Sequence, residues 1–223
     1  MNIRVIDLDG VLQDPVDPHP RLFGDVAPVV GVTYDALYKH YTESYEDNER
    51  EERYHLALCK TEEKRKKVRE RWKQLHANMD KVRPIQGARE LLEHFRSRGD
   101  PIYAFTKGPV GIQKGRLESV GLSEFFPEGH IIFSPRKGTR KGFEEDLLPG
   151  LPQGGKITII GDMFEQDIRP ALTLGGFICV WIRWDQKDPK GFDPTNPNLI
   201  VVKTTLEILE LVRRGGLKWS PPV

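Results

Sequence analysis

Four places in the sequence gather side chains that handle charge. The first is D-L-D-G at residues 7–10, where Asp7 and Asp9 close an apolar run. The second is Thr106 in A-F-T-K-G, and the third is Lys137 in S-P-R-K-G, with Lys141 as a competitor in the same loop. The fourth is G-D-M-F-E-Q-D, which brings Asp162 and Asp167. Carboxylates at the ends of apolar runs are costly to bury unless paired, protonated or bound to a cation. Singly, each residue has an ordinary explanation. An Asp after a strand caps a turn or helix, a Thr often ends a strand, and a loop Lys is usually solvated. All four in this order, each at the end of a predicted strand, are hard to assemble by chance.

The elements that must position them are short, β-branched apolar runs: 3–8, 101–106, 130–134, 156–161, 177–182 and 199–203. Near-continuous apolar runs of this length predict strands buried on both faces. Helical patterns separate most of them, at 86–98, 110–120, 141–148, 166–175 and 204–214. This alternation predicts an α/β fold, a doubly wound parallel sheet covered by helices on both sides. Right-handed crossovers would then bring every strand C-terminus, and so all four groups, to one edge of the sheet.

One interval breaks the rhythm. Residues 15–83 contain no convincing strand, which divides the chain into a core at 1–14 and 84–223 and an α-helical insertion at 15–83. Tyr34, Leu37, Tyr38, Tyr41 and Tyr45 fall on one helical face, and Val68, Trp72, Leu75 and Met79 form a second stripe at about 60–80. Both stripes are expected to pack into a core, and the charged run KTEEKRKKVRERWK to form a solvated face with opposite-charge pairs. Arg50, Arg53, Tyr41 and Tyr45 are candidates for substrate contact by type and neighbourhood.

Bulk properties narrow the partners. With 34 Lys+Arg against 33 Asp+Glu and a formal charge of +1, nothing recommends a nucleic acid or an acidic membrane. Cys59 and Cys179 lie far apart and flank no metal-spacing motif, so neither a zinc site nor a disulfide framework is expected. No leader and no membrane span are read in the sequence. A soluble, cytoplasmic protein, monomer or homodimer, is the expectation.

The combination of DLDGVL at 7–12, Thr106 in FTKG, Lys137 in RKGTRKGF and GDMFEQDI at 161–168 resembles the haloacid dehalogenase (HAD)-like hydrolase superfamily, over roughly 1–212. More narrowly, it resembles the phosphatase branch with a helical cap after the first strand. PIQGARELL at 84–92 looks like the return from cap to a Rossmann-like core. The resemblance implies Asp7 as nucleophile, forming an aspartyl-phosphate, and Asp9 as general acid and then base. It implies Thr106 and Lys137 on the phosphoryl group, with backbone amides at Gly10 and Lys107 completing the cradle. It implies Mg²⁺ held by Asp7, Asp162 and the Asp9 carbonyl, with Asp167 behind or through water. Lys137 is preferred to Lys141 because Phe143 follows it at the family's spacing, although the prolines of that pattern are absent.

Charge counting agrees with a cation. Ionised Asp7, Asp9 and Asp162, a phosphomonoester of about −2 and Lys137 leave about −4 in one pocket. Mg²⁺ brings this to about −2, and a proton on Asp9 to about −1. The expected substrate is a small phosphorylated metabolite. The alternatives are a phosphotransferase or phosphomutase with the same four groups, a dehalogenase, against which Asp9 speaks, and a non-catalytic relative, for which this set would be superfluous.

Overall fold

A computed structural model describes residues 1–15, 24, 26–37, 56, 58–77, 82–108, 110–183 and 188–215. The chain divides into two compact units, Met1–Asp14 with Val82–Val223, and Pro15–Lys81.

The first unit is built on six strands. They are β1 (Asn2–Ile6), β4 (Ile102–Thr106), β5 (Ile131–Phe133), β6 (Lys156–Gly161), β7 (Phe177–Ile182) and β8 (Leu199–Val202). The short strands β2 (Gln13–Pro15) and β3 (Val82–Pro84) pair with each other where the chain leaves this unit and returns to it. Their three residues each carry no apolar alternation, so no strand was expected there.

The sheet order is β5-β4-β1-β6-β7-β8, and every neighbouring pair is parallel. Successive side chains on each strand serve opposite faces. Ile6, Ile102, Ala104, Val180 and Ile182 join a core with Leu91, Leu92 and Phe95 of helix α2 (Ala88–Ser97), Leu117 of α3 (Val110–Ser119), and Ile208, Leu209 and Val212 of α5 (Thr205–Arg213). Ile3, Val5, Tyr103, Phe105, Cys179 and Trp181 join the opposite core, with Phe143, Leu147, Phe164, Ile168 and Ala171. Both faces of the sheet are therefore buried, which is why the strands read as continuous apolar runs. The architecture is the expected α/β, doubly wound one. Because β4 lies on one side of β1 and β6 on the other, the strand order reverses beside β1, where open α/β sheets form a crevice at the strand C-termini.

Two expected helices take other forms. Residues Gly142–Leu147 make a π-helical turn followed by a 3₁₀ turn at Leu148–Gly150. Gly142 sits so close to the preceding loop that an added Cβ would lie 2.3 Å from the Arg136 carbonyl. Phe164–Ile168 is likewise π-helical before α4 (Arg169–Leu174), and Pro170 supplies no backbone N–H to that junction. Wider turns at functional segments are a recurrent use of π geometry.

In the second unit, Val26, Ala27, Val30, Leu37, Cys59 and Val68 form a small apolar cluster. Helix α1 (Glu62–Ala77) carries part of the charged run, and Lys67 pairs with Glu63 at 2.9 Å and Arg69 with Glu62 at 3.0 Å. Of the two apolar stripes, Leu37 and Val68 are buried while Tyr34 is exposed, because Leu37 and not Tyr34 faces the cluster. Tyr38, Tyr41, Tyr45, Arg50, Arg53 and Met79 lie outside the described residues, as do the side chains of Trp72 and Leu75. No helix among the described residues is long and apolar enough to cross a membrane.

Candidate active site

Asp7 follows β1 directly, and its N–H still donates to the Ile160 carbonyl at 2.8 Å, so the ladder fixes its position. The chain then turns at Gly10, whose φ is +77°. A Cβ at Gly10 would lie 2.2 Å from Asp162 Oδ2, and one at Gly161 would lie 2.3 Å from the Asp167 Cβ. These two glycines make room for carboxylates from the end of β6 to approach the end of β1.

Asp7, Asp162 and Asp167 each offer a carboxylate oxygen, all within 4.8 Å of one another. Lys137 reaches into this cluster, with Nζ 2.6 Å from Asp7 Oδ1 and 2.7 Å from Asp167 Oδ1. It is almost fully buried, whereas Lys141 is exposed. The loop that carries Lys137 is tied down from both sides. Ser134 Oγ donates to Asp146 Oδ2 at 2.6 Å and accepts from the Arg136 N–H at 3.1 Å, and Arg136 pairs with Asp146 and Glu145. Asp167 is braced by the Met163 N–H at 3.0 Å, and the Asp162 carbonyl by Trp181 Nε1 at 2.8 Å.

The electrostatics follow from burial. Burial raises the Asp7 carboxyl well above the usual range; Lys137 opposes this, and Asp167, Asp162 and Asp9 add to it. Burial, with Asp167, pushes Asp162 up to about 7 against the pull of Lys137. Burial alone would lower Lys137, but Asp167 and Asp7 outweigh it and hold the ammonium above its ordinary value. Two carboxylates thus pair with the Lys137 ammonium, and a third, Asp162, stands within 4.8 Å of both. Asp162 Oδ1 is buried with no hydrogen-bond partner. An all-oxygen donor set with excess negative charge and an orphaned carboxylate oxygen fits a hard divalent cation.

Beside this cluster lies a second group. Asp9 is held by a separate set of side-chain donors. Gln13 Nε2 is 2.9 Å from Oδ1, Gln113 Nε2 is 3.1 Å from Oδ2, and Arg116 Nη1 is 3.2 Å from both oxygens. Thr106, at the end of β4, is buried and accepts at Oγ1 from Gly108 N–H at 3.0 Å and Gln113 Nε2 at 3.2 Å. Lys107 is half-buried beside it.

The structure therefore brings Asp7, Lys137, Asp162 and Asp167 into contact, with Asp9 and Thr106 linked alongside. The Gly10 amide donates to the Gln13 carbonyl at 2.9 Å, and its missing Cβ leaves space for Asp162. Arg116, Gln113 and Gln13 were missed. Arg116 pairs with Asp9, and its positive charge offsets the further negative charge of Asp167, so the surplus of negative charge stands. Gln113, Arg116 and Leu117 share the inward face of α3, at the i, i+3, i+4 spacing that was the one available signal.

No protein-family model and no curated protein matches the chain. Solved structures do. A HAD-like family hydrolase from Xanthomonas campestris superposes with a TM-score of 0.71 at 18% identity, over 96% of this chain and 91% of that one. A Thermotoga maritima protein assigned as a β-phosphoglucomutase gives 0.69 at 19% identity, over 96% and 99%. YfnB of Bacillus subtilis, assigned as a HAD hydrolase and solved bound to magnesium, gives 0.66 at 18% identity, over 95% and 98%.

Proposed function

We propose that this chain, which has the fold of the HAD-like hydrolases, is a Mg²⁺-dependent phosphatase of small phosphomonoesters working through an aspartyl-phosphate. The observation that carries the reading is the Asp7 carboxylate held at the C-terminal end of β1 against Lys137, among Asp162 and Asp167. The magnesium in YfnB supports the choice of cation.

In this reading an Asp7 carboxylate oxygen attacks phosphorus, the P–O bond to the alcohol breaks, and the leaving oxygen takes a proton from Asp9. Asp9 then accepts a proton from water as that water attacks the aspartyl-phosphate, releasing inorganic phosphate and restoring Asp7. Lys137 stabilises charge on the phosphoryl group and orients Asp7. Thr106 has both acceptor positions filled by N–H groups, so its hydroxyl proton is left to donate to a phosphoryl oxygen. Asp7, Asp162 and the backbone carbonyl of Asp9 would hold Mg²⁺, with Asp167 behind them, and the bound ion would neutralise negative charge on carboxylates and phosphate. Separating nucleophile and acid–base carboxylate by two residues, in different surroundings, lets them take different roles.

The test is release of phosphate from 4-nitrophenyl phosphate by purified protein. Turnover is expected only with Mg²⁺ present, and Asp7→Asn should lower it by at least about 10⁴-fold. Folded wild-type protein that leaves a broad panel of phosphomonoesters intact would overturn the reading.

A further inference from the structure

Gln113 occupies an unusual position between two groups of the site. Its one NH₂ serves both of them, with Asp9 Oδ2 at 3.1 Å and Thr106 Oγ1 at 3.2 Å. Its carbonyl oxygen accepts from Gln13 Nε2 at 2.9 Å, and that same nitrogen donates to Asp9 Oδ1 at 2.9 Å. All four amide hydrogens are thereby used, which fixes both amides: reversing either would set a carbonyl oxygen against the Asp9 carboxylate. Arg116 closes the other side of Asp9 at 3.2 Å. Gln13, Gln113 and Arg116 are all buried. Gly108 completes the arrangement in two ways. Its N–H donates to Thr106 Oγ1 at 3.0 Å, and a Cβ there would lie 2.5 Å from Gln113 Nε2.

We propose that Gln113 and Arg116 are positioning residues that lock the Asp9 carboxylate and the Thr106 hydroxyl into one fixed relation, with Gly108 leaving the space this requires. The assignment rests on the phosphatase reading for its kinetic consequence, not for its geometry. Arg116 touches Asp9 and not Thr106, so its loss should impair proton delivery to the leaving group and spare the phosphoryl contact. Gln113 touches both, so its loss should impair both. Gly108→Ala would displace the Gln113 amide without changing any residue that touches Asp9, and should give a weaker version of the Gln113 effect.

The experiment compares 4-nitrophenyl phosphate with phenyl phosphate, which are alike in shape but differ in how much the departing oxygen needs a proton. With Arg116→Met, kcat for phenyl phosphate should fall on the order of ten- to a hundred-fold, by the loss of a charged hydrogen bond. The nitrophenyl ester should fall much less, and Arg116→Lys should restore part of the difference. Gln113→Leu should lower both, keep the same preference and raise KM. Equal losses on the two esters for Arg116→Met, with an unchanged melting temperature, would overturn the assignment. A crystal structure of Gln113→Leu supplies a readout independent of turnover: Asp9 and Thr106 should take new rotamers. Wild type inert to both esters would overturn the phosphatase reading alone, and unmoved rotamers would overturn the positioning role alone.

Discussion

Towards the N-terminal end of the sheet, Arg4, the middle residue of β1, donates from Nε and Nη2 to Asp100 Oδ2 at 2.9 and 2.7 Å and from Nη1 to Thr158 at 2.8 Å, and its guanidinium lies over Phe95. At the C-terminal end, Asp7 meets Lys137, Asp162 and Asp167. Both clusters are buried, and one strand joins them. In the first, charges balance and no polar atom of Arg4 or Asp100 is buried without a partner. In the second, carboxylates outnumber the ammonium and Asp162 Oδ1 has no partner. A balanced buried pair needs nothing more than the fold. An unbalanced one is a standing demand for a ligand, and that asymmetry sets the candidate site apart from the other end of the sheet.

The largest effect is expected at Lys137. Lys137→Ala removes the one cation that touches Asp7 and Asp167 among the described residues, so two effects should combine. Turnover per folded molecule should fall about 10²–10³-fold, as for loss of one preorganised donor, and the metal-free protein should melt lower. Lys141→Ala, four residues on and exposed, should change neither. Phosphate release and thermal melts on both variants check this, and a larger loss at Lys141 would overturn the assignment of the cluster's cation.

Asp100→Asn tests the opposite end. It leaves Arg4 buried without a charge partner, which costs about 3–5 kcal/mol of stability in such sites. Denaturant unfolding should register that loss, while kcat of the remaining folded protein stays at the wild-type level. A matching fall in kcat would mean that the two ends of β1 are coupled.

The two ends are unequally legible in the sequence. The strands were legible because burial on both faces leaves continuous apolar runs, and Asp7, Thr106, Lys137 and Asp162 stand out because each interrupts or ends one. Arg4 also sits inside an apolar run, but its partner Asp100 lies in a turn after α2, and only parallel pairing of β1 with β4 brings the two together. Gln113 and Arg116 were hidden for a related reason. Polar residues on a helix read as solvated until the fold shows which face turns inward. The bond from the Gly10 amide to the Gln13 carbonyl was hidden as well, because it belongs to a turn without a sequence signature.

The pH dependence of stability sharpens the contrast. An acid whose proton is held more tightly in the folded state makes the folded state retain that proton where the unfolded chain has lost it. Stability then falls as pH rises, from about 4, where an unfolded Asp ionises, to about 7, where Asp162 ionises in the fold. Metal-free wild type should therefore melt lower at pH 8 than at pH 5. Asp162→Asn should flatten much of that slope, with Asp7, shifted in the same direction, retaining the rest. Excess Mg²⁺ should raise the wild-type melting temperature at pH 8 and have little effect on the variant, since binding to the folded state alone stabilises by mass action. Identical slopes for wild type and variant in EDTA would show that Asp162 is not the strained group.

The smallest effect is expected where both charges of the balanced pair are removed together. Arg4→Met with Asp100→Leu replaces a buried ion pair by apolar groups of similar volume, and such exchanges are often neutral or stabilising. The Thr158 hydroxyl loses its Arg4 donor, a cost of about 1 kcal/mol, offset by relief of the desolvation that two buried charges demand. The double variant should therefore unfold within about 1 kcal/mol of wild type, far from the loss expected for Asp100→Asn alone. Turnover should be unchanged. A cost as large as that of the single variant would mean that Arg4 and Asp100 each hold the sheet by contacts other than their mutual pairing, and the balanced end of β1 would no longer be explained by balance.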